Sequence, residues 1–254
     1  MFETLNIEKD GPIGRLTLNS PEKLNALSRQ RLIDLIDAAR WFDQQPEIKV
    51  VIIKGEGRAF SAGADLSGFA GSSDISPRDG ADLGRRMADA LEDMKAISIA
   101  AIQGWCVGGA LVLASACDLR IATTDARFSI PEIDLGIPLA WGGIPRLVRE
   151  IGPALTKELV ITCRPFDAAE AKSAGFLNRI VEPAQLAAEV EALAHEVAKR
   201  PTNPVQITKR HVNAVTAQMV GTMRAWSDAD GLLASYHDPE SEAARQIYLK
   251  QRGK

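Results

Sequence analysis

The chain has 254 residues, of which 46% are hydrophobic and 25% charged, and its net charge is −3. That is the balance of a soluble globular protein, long enough for one large domain or a domain with an appendage. The slight acidity offers no basic field to nucleic acid or an anionic membrane, and no apolar run approaches the roughly 20 residues of a membrane span.

The N-terminal "MFETLNIEKDGPIG" has no apolar stretch behind a basic start, which argues against a secretory signal and for a cytoplasmic protein. "GRLTLNS" (Gly14–Ser20) alternates like a strand and ends on turn residues. Ser28 is placed to cap a helix whose Leu32, Ile33, Leu35, Ile36 and Ala39 share one face. The β-branched run "IKVVIIKG" (Ile48–Gly55) predicts a strand buried on both faces. "GSSDISPRDG" (Gly71–Gly80) reads as a polar loop. A helix is predicted over Ala81–Met94, with Leu83, Met87 and Leu91 on one side.

"SIAAIQG" (Ser98–Gly104) is predicted as a strand, and the pair Gly108–Gly109 opens the next helix. "DLRIA" (Asp118–Ala122) and "ARFSI" (Ala126–Ile130) read as short strands. Helices are predicted at Gly143–Ile151, Ala154–Thr162 and Ala168–Ala174. Pro183 starts a longer helix, with Leu186, Val190, Leu193 and Val197 on its apolar face, and Pro201 ends it. Beyond Pro204 the chain reads as helix alone. Thr208, Val212, Val215 and Met219 form one stripe, and Trp226, Leu232 and Leu233 another. These stripes pack either on another subunit or back on their own domain.

Several motifs carry no chemistry. "KGEGRAF" (Lys54–Phe60) has Gly55 and Gly57 after a strand but lacks the third glycine of a dinucleotide fingerprint. Cys106, Cys117 and Cys163 have neither metal spacing nor a paired framework and read as inert thiols of a reducing compartment. His195, His211 and His237 are scattered through the helical C-terminal region. Ser61 has no evident base and reads as structural.

Two glycine segments remain. In "SAGADL" (Ser61–Leu66), Gly63 permits an unusual backbone turn that can aim the Ala64 N–H outward. In "VGGAL" (Val107–Leu111), the glycine pair does the same at a helix start, where the dipole is positive. Each alone reads first as a tight strand-to-helix turn. Two such N–H groups facing one point make an oxyanion hole, which stabilises charge building on a carbonyl oxygen.

"PEKLNALS", "RAFSAGADL", "GWCVGGALVLASACDLRIA", "FSIPEIDLGIP" and "DAAEAKSAGFLNRIVE", in this order over Met1 to Glu182, resemble the enoyl-CoA hydratase/isomerase (crotonase) family. The resemblance implies an α/β fold: a spiral of ββα units over residues 1–200 that carries an acyl-CoA site. A C-terminal helical region over 201–254 would assemble trimers or hexamers. It implies an enzyme whose oxyanion-hole donors are Ala64 and Gly109. Acyl-CoA contacts are implied at Lys23, Leu24 and Ala26, and at Ala62, Ala64, Asp65 and Leu66. CoA enters as the carrier of the substrate, with no metal or redox cofactor.

Hydratases of the family use two glutamates. One of the two positions is Val112 here and the other is Glu132. Glu132 lies between Pro131 and an apolar run, where partial burial would raise a carboxyl pKa toward neutrality; by itself it reads first as a surface loop carboxylate, and the resemblance is what implies a catalytic role. A single glutamate suffices to shift a double bond from a 3-enoyl to a 2-enoyl position, so Val112 with Glu132 leans toward an isomerase. The alternatives are a hydratase with another second carboxylate (Asp65, Asp134 or a residue of the Gly71–Gly80 loop) and a silent acyl-CoA-binding protein. Trp141 stands where smaller residues are common in the hydratases, and reads either as an acyl-pocket wall or as core.

Overall fold

Strands and helices alternate along the chain, and in two successive turns near its middle a pair of strands divides between two sheets before a helix follows. The computed structural model describes residues 2–65 and 75–251, with Arg224 and Trp226 through their backbone alone. Leu66, the Gly71–Asp74 part of the polar loop and the Trp226 side chain of the second tail stripe lie outside it.

Strand β1 (Leu5–Asp10), which the sequence pattern did not reveal, pairs antiparallel with β2 (Ile13–Leu18) across a turn where Gly11 has φ 53°. Helix α1 (Arg29–Asp43) follows, with the Ser28 side chain accepting from the Arg31 N–H as expected of an N-cap. Its Leu32 and Leu35 are fully buried, worth about 2 kcal/mol each. Strand β3 (Val50–Gly55) and helix α2 (Pro77–Asp93) form the next turn. Helix α2 starts earlier than the expected Ala81: Ser76 caps it and Pro77 occupies its first turn, where a missing N–H costs nothing.

The strand expected over Ser98–Gly104 is present, and a second strand that was not expected follows it. Strand β4 (Ile97–Ile102) lies in the large sheet and β5 (Trp105–Val107) in the small one. Gly104 makes the corner at φ 56°, and a Cβ there would stand 2.1 Å from the Arg58 carbonyl oxygen. Helix α3 (Gly109–Ser115) follows directly. The next turn consists of β6 (Leu119–Thr123), β7 (Arg127–Ser129) and α4 (Gly143–Thr162), which is kinked at Gly152 where two helices were expected. Then come β8 (Phe166–Asp167), α5 (Ala168–Ser173), β9 (Arg179–Val181) and α6 (Leu186–Ala198).

The large sheet has the order β1-β2-β3-β4-β6-β9 and is parallel from β2 onward. The small sheet is β5-β7-β8, extended by Ser61, which bonds to both Trp105 and Val107. The continuous apolar run of β3 is explained by burial on both faces. Val51 and Ile53 join the main core with α1 and α2, while Val50 and Ile52 meet Val190 and Ala194 of α6.

The tail comprises α7 (Thr202–Met219), a 3-10 turn (Thr222–Ser227), α8 (Asp228–Tyr236) and α9 (Pro239–Gln251). Its two expected stripes have different fates. On α7, Val212, Val215 and Met219 stay exposed, and buried Lys209 ties the helix to the body through Asp118 (2.8 Å) and the Ala96 carbonyl (3.0 Å). Helix α8 folds back instead, burying Leu232 against Ala81. Among the described residues no helix is long and apolar enough to cross a membrane.

Candidate active site

The pairing of β5 with β7 brings the two glycines to Glu132. Val107 and Ser129 are register partners, and the Gly108 N–H donates to the Ser129 carbonyl (2.9 Å), so the segments leaving both strands emerge side by side. Gly108 has φ 52°, which favours glycine, and a Cβ there would lie 2.3 Å from Glu132 Oε1. The first glycine of the pair is therefore the seat of the carboxylate as well as a turn. The second makes room for an aromatic ring, since a Cβ on Gly109 would meet Trp141 Cζ3 at 2.3 Å.

Ala64 is delivered by the neighbouring segment. Ser61 N donates to Trp105 O and Val107 N to Ser61 O (both 3.1 Å), so residues 61–64 run parallel to 105–109. Gly63, at φ 82°, lies so close that a Cβ would strike the Val107 carbonyl oxygen at 2.3 Å. Among the described residues no protein acceptor takes the N–H of Ala64 or of Gly109. Ser61 is structural, as read: its hydroxyl donates to Asn25 O (2.8 Å) and accepts from the Gly63 N–H (3.2 Å).

The segment Lys23–Ala26 is stitched to the same place. The Ala62 N–H donates to Leu24 O (2.8 Å), Leu27 N–H to Gly63 O (2.7 Å) and Asp65 N–H to Leu27 O (3.1 Å). Lys23 is exposed, while Leu24, Ala26, Ala62 and Asp65 are half-buried. Asn25 is the lock that sequence reading missed. Fully buried at φ 54°, it accepts from Ser20 N–H (3.0 Å) and donates to Glu56 O (2.8 Å) and Ala59 O (2.9 Å). The signal was present, because asparagine tolerates the left-handed backbone better than most residues.

Ala64, Gly109, Val112, Glu132 and Trp141 line one apolar cavity of about 40 Å³. Ile137, Leu232 and Tyr236 also line it and were not anticipated. Helix α8 thus closes the cavity from within its own chain. Its start is fixed by the Gly142 N–H donating to Asp228 (2.8 Å). Glu132 is the one carboxylate among the described residues lining the cavity. Asp65 flanks it beside Ala64, and Asp134 is exposed.

Burial pushes the Glu132 carboxyl up from its ordinary 4.5 to about 7, opposed only by a hydrogen bond to its own backbone N–H. Among the described residues its Oε2 has no hydrogen-bond partner. The folded chain therefore keeps a proton between about pH 4.5 and 7 that the unfolded chain releases, and stability falls as pH rises through that window, by on the order of 3 kcal/mol. Glu132→Gln carries no such cost. Its melting temperature relative to wild type is expected to climb by several degrees between pH 5 and pH 8 in thermal scans. A constant difference would show that Glu132 titrates like an exposed carboxyl.

The model of the family described as enoyl-CoA hydratase/isomerase matches residues 8–253. The crotonyl-CoA hydratase of Syntrophomonas wolfei is 33% identical over 239 residues, covering 93% of this chain and 92% of that protein. The short-chain-enoyl-CoA hydratase of Clostridium acetobutylicum is 34% identical over 248 residues, covering 97% and 94%. A crystal structure of an enoyl-CoA hydratase/isomerase from Pseudoalteromonas atlantica superposes with a TM-score of 0.87 at 26% identity, over 98% of both chains. The likeness runs through nearly the whole length, in sequence and in space, and includes the spiral that carries the cavity. This chain belongs to the enoyl-CoA hydratase/isomerase family and is an enzyme of the crotonase fold.

Proposed function

We propose that this enzyme moves a proton along an acyl-CoA chain, with the thioester oxygen held by the N–H groups of Ala64 and Gly109 and with Glu132 as the single acid and base. The observation that carries the reading is Glu132 itself: buried, with Oε2 unpaired among the described residues and a pKa near 7, in a cavity that Val112 also lines. A base poised near neutrality takes a proton from C2, and two amide donors stabilise the charge that then builds on the thioester oxygen. Glu132 returns the proton at C4, which turns a 3-enoyl into a 2-enoyl thioester. The CoA portion is assigned to Lys23, Leu24, Ala26, Ala62 and Asp65, which the backbone bonds gather around Ala64. CoA enters only as the carrier of the substrate. The cytoplasm is the proposed compartment, in keeping with three free, buried cysteines.

Hydration is the second reading, favoured by the names of the two relatives. Water addition conveniently uses one group to hold the water and one to protonate the α-carbon, and Val112 can do neither. Wild type supplied with 3-enoyl- and 2-enoyl-CoA in deuterated water, read by mass spectrometry, decides between them. A double-bond shift with deuterium uptake is expected. Rapid hydration of 2-enoyl-CoA with 3-enoyl-CoA untouched overturns the isomerase reading. Val112→Glu is expected to raise hydration over wild type. The gain is small if the added carboxyl stays protonated in its apolar setting.

Self-association through α7 is proposed as well. Val212, Val215 and Met219 leave an apolar stripe in water, with Met219 77% exposed, and Ile207 lies exposed on the same helix. Light scattering is expected to give a trimer or a multiple of one. A monomer at micromolar concentration would show that α7 serves only its own chain.

A further inference from the structure

Trp141 has φ 63°, a backbone region in which a bulky side chain is a genuine outlier. Strain of this kind persists only where the surroundings over-determine it, and it gathers at ligand clamps. Here the surroundings are explicit. Buried Arg146 donates from Nη1 to the carbonyls of Trp141 (3.5 Å) and Gly142 (3.3 Å), and from Nη2 to Asp89 (2.9 Å) and Glu92 (2.5 Å) of α2. The indole lies between two helices that have each given up a side chain to admit it. A Cβ on Gly84 of α2 would come within 1.9 Å of Trp141 Cδ2, and one on Gly109 of α3 within 2.3 Å of Cζ3.

We propose that Trp141 sets the acyl-chain length, its indole walling the cavity so that a four-carbon acyl group fits and a markedly longer one does not. The proposal rests on the reading of this cavity as an acyl-CoA site. The cavity of about 40 Å³ has room for about three water-sized groups. With the thioester carbonyl at the Ala64 and Gly109 amides, the carbons that remain to be housed beside Glu132 are C2, C3 and C4. The rest of the lining, Ile137, Pro138, Leu139 and Leu232 among it, is apolar and suits a hydrocarbon chain. A longer chain has to displace the indole, and Arg146 with the packing of Gly84 and Gly109 opposes that.

The test is calorimetric binding of butyryl-CoA and octanoyl-CoA to wild type, Trp141→Phe and Trp141→Gly. Glycine adopts the left-handed backbone without penalty, so that variant empties the cavity while relieving the strained position. Wild type is expected to bind butyryl-CoA more tightly than octanoyl-CoA. Trp141→Gly is expected to shift the ratio of the two dissociation constants at least about tenfold toward octanoyl-CoA, the order of effect of methylenes gaining room in an apolar pocket. Trp141→Phe is expected to shift it in the same direction by less, and carries the test if circular dichroism shows the glycine variant unfolded. An unchanged ratio in a folded variant, or equal binding of the two thioesters by wild type, overturns the role of Trp141 and leaves the acyl-CoA reading standing. Failure of wild type to bind either thioester overturns both.

Discussion

Glu132→Gln is expected to lower turnover about 10² to 10⁴-fold, the usual contribution of a positioned acid or base. Glutamine fills nearly the same space beside Gly108, so the cavity keeps its shape, but an amide takes up no proton at neutral pH. No other carboxylate among the described lining residues can stand in. The pH profile adds a second check. Burial puts the wild-type carboxyl near pH 7, and the base form is the ionised one, so kcat/KM is expected to rise as pH climbs through about 7 and then level. The residual activity of Glu132→Gln should lack that rise. Glu132→Asp, with the carboxylate withdrawn by one methylene, is expected to fall between the two. Full turnover by a folded Glu132→Gln protein would remove Glu132 from the chemistry.

Loss of the Gly109 N–H is expected to cost about 10² to 10³ in kcat, as removal of one oxyanion-hole donor typically does. Proline is a poor instrument here although it suits the first position of a helix. Any Cβ at position 109 meets the Trp141 ring, so a loss would mix sterics with the missing donor. An amide-to-ester exchange, with glycolate in place of Gly109, deletes the N–H and adds no side chain. Lactate in place of Ala64 does the same for the second donor. Steady-state kinetics should show each ester protein losing kcat far more than KM rises, because the donors are used most when charge builds on the oxygen. An ester protein at position 109 that turns over like wild type would mean that the thioester oxygen sits elsewhere.

Much of the scaffold was legible because it is written in local periodicity. The three-four spacing on α1 and α6, the Ser28 cap, the β-branched run of β3 and the pair Gly108–Gly109 each report which way a side chain faces. The short strands β8 and β9 were not legible, since two or three residues carry no period. Neither was β5, three residues long, which is defined by its pairing with β7 from another segment.

The site divides along the same line. Sequence alone established that position 112 holds no acid or base, and it marked the backbone segments that present Ala64 and Gly109. It could not distinguish Glu132 as a buried group from a carboxylate on a surface loop. That was decided by the register of β5 against β7, which sets the carboxyl on the bare face of Gly108. The size of the cavity was decided further still along the chain, by Leu232 and Tyr236 of α8, which line it together with Trp141. A residue's own pattern tells which face it buries; only the assembled layers tell what that face meets, and burial, pKa and cavity volume all depend on the partner.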